Sequence, residues 1–342
     1  MKRLWLIIFC IGAVGSVEPA GSEGPYRVVY AQDIASRETK TKLGIPAEAV
    51  TVWINKGDTF QGKLLPLEGK RVNLVLRWSL TDEDVDILRT FGHIQAVTIQ
   101  GGFSGSETIH ASDETIKKLT RLTDLQDLHF IAPGVGMITD AGMQMLASFK
   151  KLESLTISTC NLSETAYSSI DQLGQLRELN LRLHMSVVAE KDLAFLDRLP
   201  ELRKLSLKTD TPNYARSGTG RAPLQLPESV LLRLQNLNNL EELEIDSYWF
   251  AGDGLSHLSK LKSLRKLTFG RGCDLSASGL SQLKGFPQLT DLDFGCSSVD
   301  DTAIEPLQAL RHLKSLNLCS TKITQQGVEQ LRQALPDCQI KR

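Results

Sequence analysis

The sequence predicts an α/β solenoid: a right-handed stack of short parallel strands backed by helices, closing into a horseshoe with the strands on its concave side. Three observations predict it. The spacing LxxLxL, with Ile, Val or Phe admitted at the apolar places, occurs nine times between Ile94 and Leu318. Successive copies settle to a period near 24 residues, the length of one strand-and-helix unit in a repeat architecture. Each copy is followed by a turn and then by apolar residues at helical spacing behind a Thr or Asp, the residue types that cap a helix start. In such a fold the core is a line of stacked units, so the length of 342 residues does not count domains.

Taken in order, the chain begins with Met1-Lys2-Arg3 and an apolar run from Leu4 to Val14. A charged start before a short apolar run reads as a secretory signal over 1–17, cleaved after Gly15 or Ser16 or as late as Ala31. An N-terminal core strand is the alternative. The run is shorter than the roughly 20 apolar residues a spanning helix needs. Cys10 follows bulky Phe9 and is a poor lipidation site. Residues 18–48, polar and short of large apolar side chains from Gly21 to Lys42, read as a flexible linker. From Ala49 the pattern changes: Val50, Val52 and Ile54 alternate, Lys56-Gly57-Asp58 supplies a turn, and Leu64, Leu65 and Leu67 follow. Residues 49–71 are therefore a strand-rich cap, which an open solenoid end requires, and 72–342 are the repeat domain. Asp82-Glu83-Asp84-Asp86 after Thr81 is the most acidic segment. It reads as a helix start, favoured by the helix dipole, rather than as a calcium site.

The strands follow at Ile94/Val97/Ile99, Leu125/Leu128/Phe130, Leu152/Leu155/Ile157, Leu176/Leu179/Leu181, Leu202/Leu205/Leu207, Leu240/Leu243/Ile245, Leu264/Leu267/Phe269, Leu289/Leu292/Phe294 and Leu313/Leu316/Leu318. Behind them come helical segments such as Ile138-Thr139-Asp140-Ala141-Gly142-Met143 and Ile323-Thr324-Gln325-Gln326-Gly327-Val328. One such unit cannot bury its own apolar face, so stacking must complete it. These two segments, with Val299-Asp300-Asp301-Thr302-Ala303-Ile304 and Leu335-Pro336-Asp337-Cys338-Gln339-Ile340, carry an ITDxGL-like pattern. The chain thereby resembles the exported leucine-rich repeat proteins of bacteria, of the cysteine-containing, RNI-like type, over about residues 72–342. The resemblance implies a leucine-rich repeat fold and binding to another macromolecule, and it carries over no catalytic residue. The chain departs from the family in the long spacing after Leu202, in a poor first repeat and in lacking a constant Asn at the inward turn.

Side chains flanking the buried leucines line the concave face. Their third places read Asp127, Ser154, Glu178, Lys204, Glu242, Lys266, Asp291 and Ser315, with alternating sign from Glu178 to Asp291. One reading is an exposed row that pairs its own charges. The other is a banded recognition surface: basic Arg177, Arg182, Arg203, Lys204 and Lys208, then acidic Glu241, Glu242, Glu244 and Asp246, then basic Arg265, Lys266 and Arg271. The long spacing places an insertion at Thr209 to Pro227, whose Tyr214, Arg216 and Arg221 are candidates to lean over this face; a floppy insertion with no role is the alternative. Gly101 to Ser112 reads as a simple flexible loop. Tyr248-Trp249-Phe250 read as core, one of them filling the inward turn, with an exposed Trp249 as the alternative and then a binding anchor. His129 reads as a solvated structural residue beside Thr98 and Thr156.

The balance of 39 basic and 40 acidic residues, net charge -1, provides no field for nucleic acid or anionic lipid. Without the signal segment five cysteines remain, and none has CxxC spacing. Cys160 reads as core. Cys296 and Cys319 fall in adjacent repeats one residue out of register, and a disulfide between them stays open. No Walker loop, GxSxG elbow or HExxH helix occurs, so no catalytic residue, cofactor or metal is assigned. The expectation is a non-enzymatic scaffold, exported to periplasm, cell surface or medium, binding a protein or, second, a polysaccharide. The alternatives are a structural envelope component without a selective ligand, and a small enzymatic unit before residue 72.

Overall fold

The computed structural model describes residues 28–30, 50–54, 72–76, 81–90, 94–100, 112–131, 138–158, 164–183, 190–209, 226–248, 250–270 and 273–342. They belong to two compact units, Met1–Thr156 and Ile157–Arg342. The signal-like segment, Cys160 and the 210–225 portion of the insertion lie outside the described residues.

In the first unit β1 (Val28–Tyr30) pairs antiparallel with β2 (Val50–Ile54), so a stretch expected as linker carries a strand. From β2 onward the pairing is parallel, through β3 (Val72–Leu76) and β4 (Ile94–Gln100) to β5 (Asp127–Ile131). The irregular first repeat shows as a register shift between Val72 and Asn73. Helix α1 (Asp82–Thr90) starts where the acidic run sits. The Asp84 amide donates to Thr81 Oγ1 at 3.1 Å and the Thr81 amide donates to Asp84 Oδ2 at 2.8 Å, a reciprocal cap that uses the acids locally. Helices α2 (Asp113–Leu119) and α3 (Asp140–Met145) follow, each under a side-chain cap, Ser112 and Thr139.

The strand β6 (Ser154–Ser158) spans the boundary between the units. In the second unit β7 (Glu178–Leu183), β8 (Lys204–Thr209), β9 (Glu242–Asp246), β10 (Lys266–Phe269), β11 (Asp291–Asp293), β12 (Ser315–Asn317) and β13 (Gln339–Lys341) run parallel, each paired with the next. Their register superposes the leucines of the repeat: Leu179, Leu205, Leu243, Leu267, Leu292 and Leu316 align, all buried. Fully burying one such side chain contributes roughly 1.5–3 kcal/mol, so this spine carries the stack. Where Phe replaces Leu the rings stack: Phe250, Phe269 and Phe294 follow one another at centroid separations of 6.3 and 5.5 Å. The backing elements are short because the repeat is short. They are α4 (Glu164–Ser168), α5 (Val230–Leu234), α6 (Ala277–Gln282), α7 (Ile304–Gln308) and α8 (Gln325–Ala334), with 3-10 turns at Glu190–Arg198 and Leu255–Lys260.

The ITDxGL pattern has a physical meaning that spans two repeats. Thr139 caps its own helix, accepting from the Ala141 amide at 3.2 Å, while its amide and hydroxyl donate to Asp113 Oδ1 and Oδ2 at 2.8 and 2.6 Å. Thr324 repeats this: it accepts from the Gly327 amide at 3.0 Å and donates to Asp301 Oδ1 and Oδ2 at 2.8 and 2.7 Å. Each carboxylate thus reaches forward from the preceding helix start. The glycine of the motif makes room, since a Cβ at Gly327 would stand 2.6 Å from Asp301 Oδ1, and at Gly142 2.2 Å from Asp113 Oδ1.

Two expectations are corrected here. Tyr248 does not join Phe250 in the core: it is half-buried, because fully buried Ser247 takes the inward position and its hydroxyl accepts from the Leu226 amide at 2.9 Å. Trp249 lies outside the described residues. His129 is not solvated but 3% exposed, on a face of the first unit where Val75, Ala96 and Thr98 are buried too. Its Nδ1 is 2.8 Å from Thr156 Oγ1. Burial lowers its pKa to about 4, so the ring is neutral near neutrality.

Candidate binding face

The parallel register turns the sequence row into a ladder. Glu178, Lys204, Glu242, Lys266, Asp291 and Ser315 are register partners on consecutive strands. Parallel strands are about 4.8 Å apart, so such neighbours are within reach of one another. Lys204 Nζ lies 3.2 Å from Glu242 Oε1, and Lys266 Nζ lies 3.3 Å from Glu242 Oε2. One carboxylate is therefore shared between two ammoniums. Burial alone would raise the Glu242 pKa, but Lys266 and Lys204 outweigh it and hold the carboxyl below its ordinary value. Lys204 mirrors this: partial burial works against its charge, yet Glu242, with Glu178 and Glu241, raises its pKa.

The neighbouring rows pair in the same way. Arg203 Nη1 donates to Glu241 Oε1 at 3.0 Å, Lys208 Nζ lies 2.7 Å from Glu244 Oε1, and the Ser206 hydroxyl donates to Glu244 Oε2 at 2.8 Å. Charge is uniform along β8, basic, and along β9, acidic. From β8 to β11 it alternates from strand to strand. Side-chain exposure of 50% at Arg203, 46% at Lys204 and 35% at Glu242 keeps these groups in reach of solvent, so each pair is worth about 0.2–1 kcal/mol.

Of the residues singled out from sequence, the structure gathers Arg203, Lys204, Lys208, Glu241, Glu242, Glu244 and Lys266 into this paired patch. Arg177 and Arg182, both exposed, flank it, with Arg182 in register with Lys208. Asp246 is in register with Lys208 and packs against Gly270, where a Cβ would come within 2.5 Å of its Cγ. Arg265 departs from the expected basic band: its Nη1 donates to the Lys262 and Leu264 carbonyls at 2.7 and 3.3 Å, so the guanidinium closes its own turn. Arg271, Tyr214, Arg216, Arg221 and Trp249 lie outside the described residues. Ser206 went unnoticed in the sequence, although its place between Asn180 and Glu244 in the register could have been read from the repeat.

Beyond the charged patch, Asp293 Oδ1 accepts from the Gly295 amide at 2.7 Å and from Asn317 Nδ2 at 2.9 Å. Cys273 is buried with its thiol on the Ile245 carbonyl at 3.4 Å, and burial pushes its pKa up to about 12. Cys296 and Cys319 are both free thiols, so the disulfide left open from sequence is not formed in this structure. Among the described residues no group of three His, Cys, Asp or Glu side chains converges to hold a metal, and no helix is long and apolar enough to cross a membrane.

No protein-family model matches the sequence, and no curated protein matches it. Solved structures do match. TLR13 in its complex with ssRNA13 aligns over 85% of this chain and 38% of its own, at 15% identity and a TM-score of 0.51. An internalin of Listeria monocytogenes, InlF, aligns over 86% of both chains at 18% identity and a TM-score of 0.43. A leucine-rich repeat protein of Leptospira interrogans aligns over 83% of this chain and 93% of its own, at 14% identity and a TM-score of 0.28. At these identities the likeness bears on fold, and of the three only TLR13 has the overlap to support an argument. Together with the parallel in-register strands and their aligned leucines, it establishes the architecture: the chain folds as an α/β leucine-rich repeat solenoid.

Proposed function

We propose that this protein is a non-enzymatic, exported interaction scaffold that recognises a protein partner through the strand face centred on β8 and β9. The observation that carries the reading is the alternation of charge by strand: a basic column of Arg203, Lys204 and Lys208 beside an acidic one of Glu241, Glu242, Glu244 and Asp246, bounded by Lys266. Such bands favour a partner with the complementary bands and disfavour others by like-charge contact. Arg177 and Arg182 extend the basic side, and Arg271, Trp249 and the insertion residues Tyr214, Arg216 and Arg221 belong to the same proposal. Export rests on the charged start and apolar run at the N-terminus. A polysaccharide is the second class of ligand.

A second reading is favoured by a specific observation. Glu242 is already held between Lys204 and Lys266, as in a row whose purpose is to fasten neighbouring repeats of a structural envelope component. One variant separates the two. Glu178→Lys, Lys204→Glu, Glu242→Lys, Lys266→Glu and Asp291→Lys together invert the row while keeping both ion pairs and the signs of their neighbours, so stability should stay within about 1 kcal/mol of the parent. If the face recognises a protein, a partner retained by the parent chain from the native host's envelope or secreted fraction is lost by the variant. Retention of the same proteins by both would overturn the proposal.

A further inference from the structure

Two thiols outside the charged patch stand at the exits of adjacent strands. Cys296 follows β11 and is exposed; Cys319 follows β12 and is half-buried; both are free. The one-residue offset between them, visible in the pairing of Asp293 with Asn317, is absorbed by the backbone. Cys296 adopts φ 68°, in the left-handed region, as does Ser320 at the equivalent place with φ 58°. In that conformation the Cys296 amide donates to the Cys319 carbonyl at 2.9 Å. With standard backbone bond lengths, residues joined by such a bond have Cα atoms roughly 5–6 Å apart, inside the about 4.4–6.8 Å span of disulfides. The two exits are also tied by side chains: Asn317 Nδ2 donates to Asp293 Oδ1 at 2.9 Å, and Asn317 Oδ1 accepts from the Cys319 amide at 3.1 Å.

We propose that Cys296 and Cys319 form a redox pair, closed to an inter-repeat disulfide by exchange with a low-molecular-weight disulfide of the glutathione class. The Cys296 thiolate attacks one sulfur of the reagent; its S–S bond breaks, one thiolate leaves and Cys296 carries a mixed disulfide. The Cys319 thiolate then attacks the Cys296 sulfur, forming the protein S–S bond and expelling the second thiolate. Two protons and two electrons leave the protein, and the reagent is reduced to two thiols. The remaining described thiols are placed as bystanders. Cys273 is buried against the Ile245 carbonyl. Cys338 precedes β13, at the entry end of the strands, since Ser315 pairs with Gln339. The bond closes a loop of about one repeat, a constraint on the unfolded chain that makes the last repeats harder to open.

The test uses the full chain, native, incubated with oxidised glutathione at mildly alkaline pH, then blocked by alkylation and digested with trypsin. The tryptic peptides Gly285–Arg311 and Ser315–Lys322 should appear joined, lighter by two hydrogens than their sum, with Cys273 still alkylatable after unfolding. Cys319→Ser should leave a persistent glutathione adduct on Cys296, and the oxidised parent should melt several degrees above the reduced one. A stable adduct on Cys296 in the parent chain, a disulfide-linked dimer on a non-reducing gel, or joined peptides only after denaturation would each overturn the pairing.

Discussion

Gly279 tests the packing between repeats more sharply than any leucine. It lies within α6, where replacing Gly by Ala in isolation would stabilise the helix by about 1 kcal/mol. The neighbouring repeat forbids it: a Cβ at Gly279 would stand 2.2 Å from the Ala251 carbonyl oxygen, 3.0 Å from Gly252 C and 3.1 Å from Gly252 Cα. These are backbone atoms that cannot rotate away. The same Ala251 carbonyl accepts from the Ser276 amide at 2.9 Å, so pushing it aside also weakens the bond that seats the helix start. Overpacking that moves backbone costs about 1–3 kcal/mol and a strained hydrogen bond about 1, against the helix gain of about 1, so Gly279→Ala should lose roughly 1–3 kcal/mol. At about 2–4 °C per kcal/mol for a unit of this size, thermal melting by far-UV circular dichroism should fall by roughly 2–12 °C. Gly174→Ala is the control, because nothing lies within 4 Å of its Cβ, and it should melt with the parent. A Gly279→Ala protein as stable as the parent would show that the repeats are not in this contact.

Two further outcomes follow from other parts of the molecule. His129, lowered from 6.5 to about 4 by burial, binds a proton in the unfolded chain before it does in the fold. Its contribution is therefore complete above pH 6.5 and is lost as pH falls towards 4, by roughly 3 kcal/mol in total. His129→Gln should flatten the pH dependence of stability in that window by this amount, and an imidazole found titrating near 6.5 by NMR would contradict the burial. Asp301→Ala and Thr324→Val, combined in a double-mutant cycle read by urea unfolding, should show a coupling of about 1–2 kcal/mol, because both remove the bond from the Thr324 hydroxyl to Asp301 Oδ2, while the Thr324 amide bond to Oδ1 is lost only with the carboxylate. Additive losses would mean that the carboxylate and the cap act independently.

The periodic leucines made the spine legible from sequence, because every member of the spine recurs at one spacing and the parallel register follows from that spacing. Helix starts at Thr81, Thr139 and Thr324 were legible for a similar reason, since a cap acts within three residues of itself. The reach of Asp113 to Thr139 was not, since the two are a full repeat apart and an Asp in a first helical turn already has a local explanation. The charged row was legible as a row. Which of its members pair, and that Arg265 turns back onto the Lys262 carbonyl, depends on side-chain rotamers that no spacing encodes. His129 was misread because alternation puts it on the face expected to meet water, and alternation says nothing about shielding there.

The forward-reaching carboxylates give the stack a polarity. Asp301 completes the helix start at Thr324, and Asp113 the one at Thr139, so a repeat borrows part of its cap from its predecessor and lends its own to its successor. The two ends of the array are then inequivalent. Removing a repeat from the N-terminal side strips the next threonine of its acceptor, whereas removing one from the C-terminal side only frees an acid to water. Fraying should therefore advance more readily in one direction than in the other.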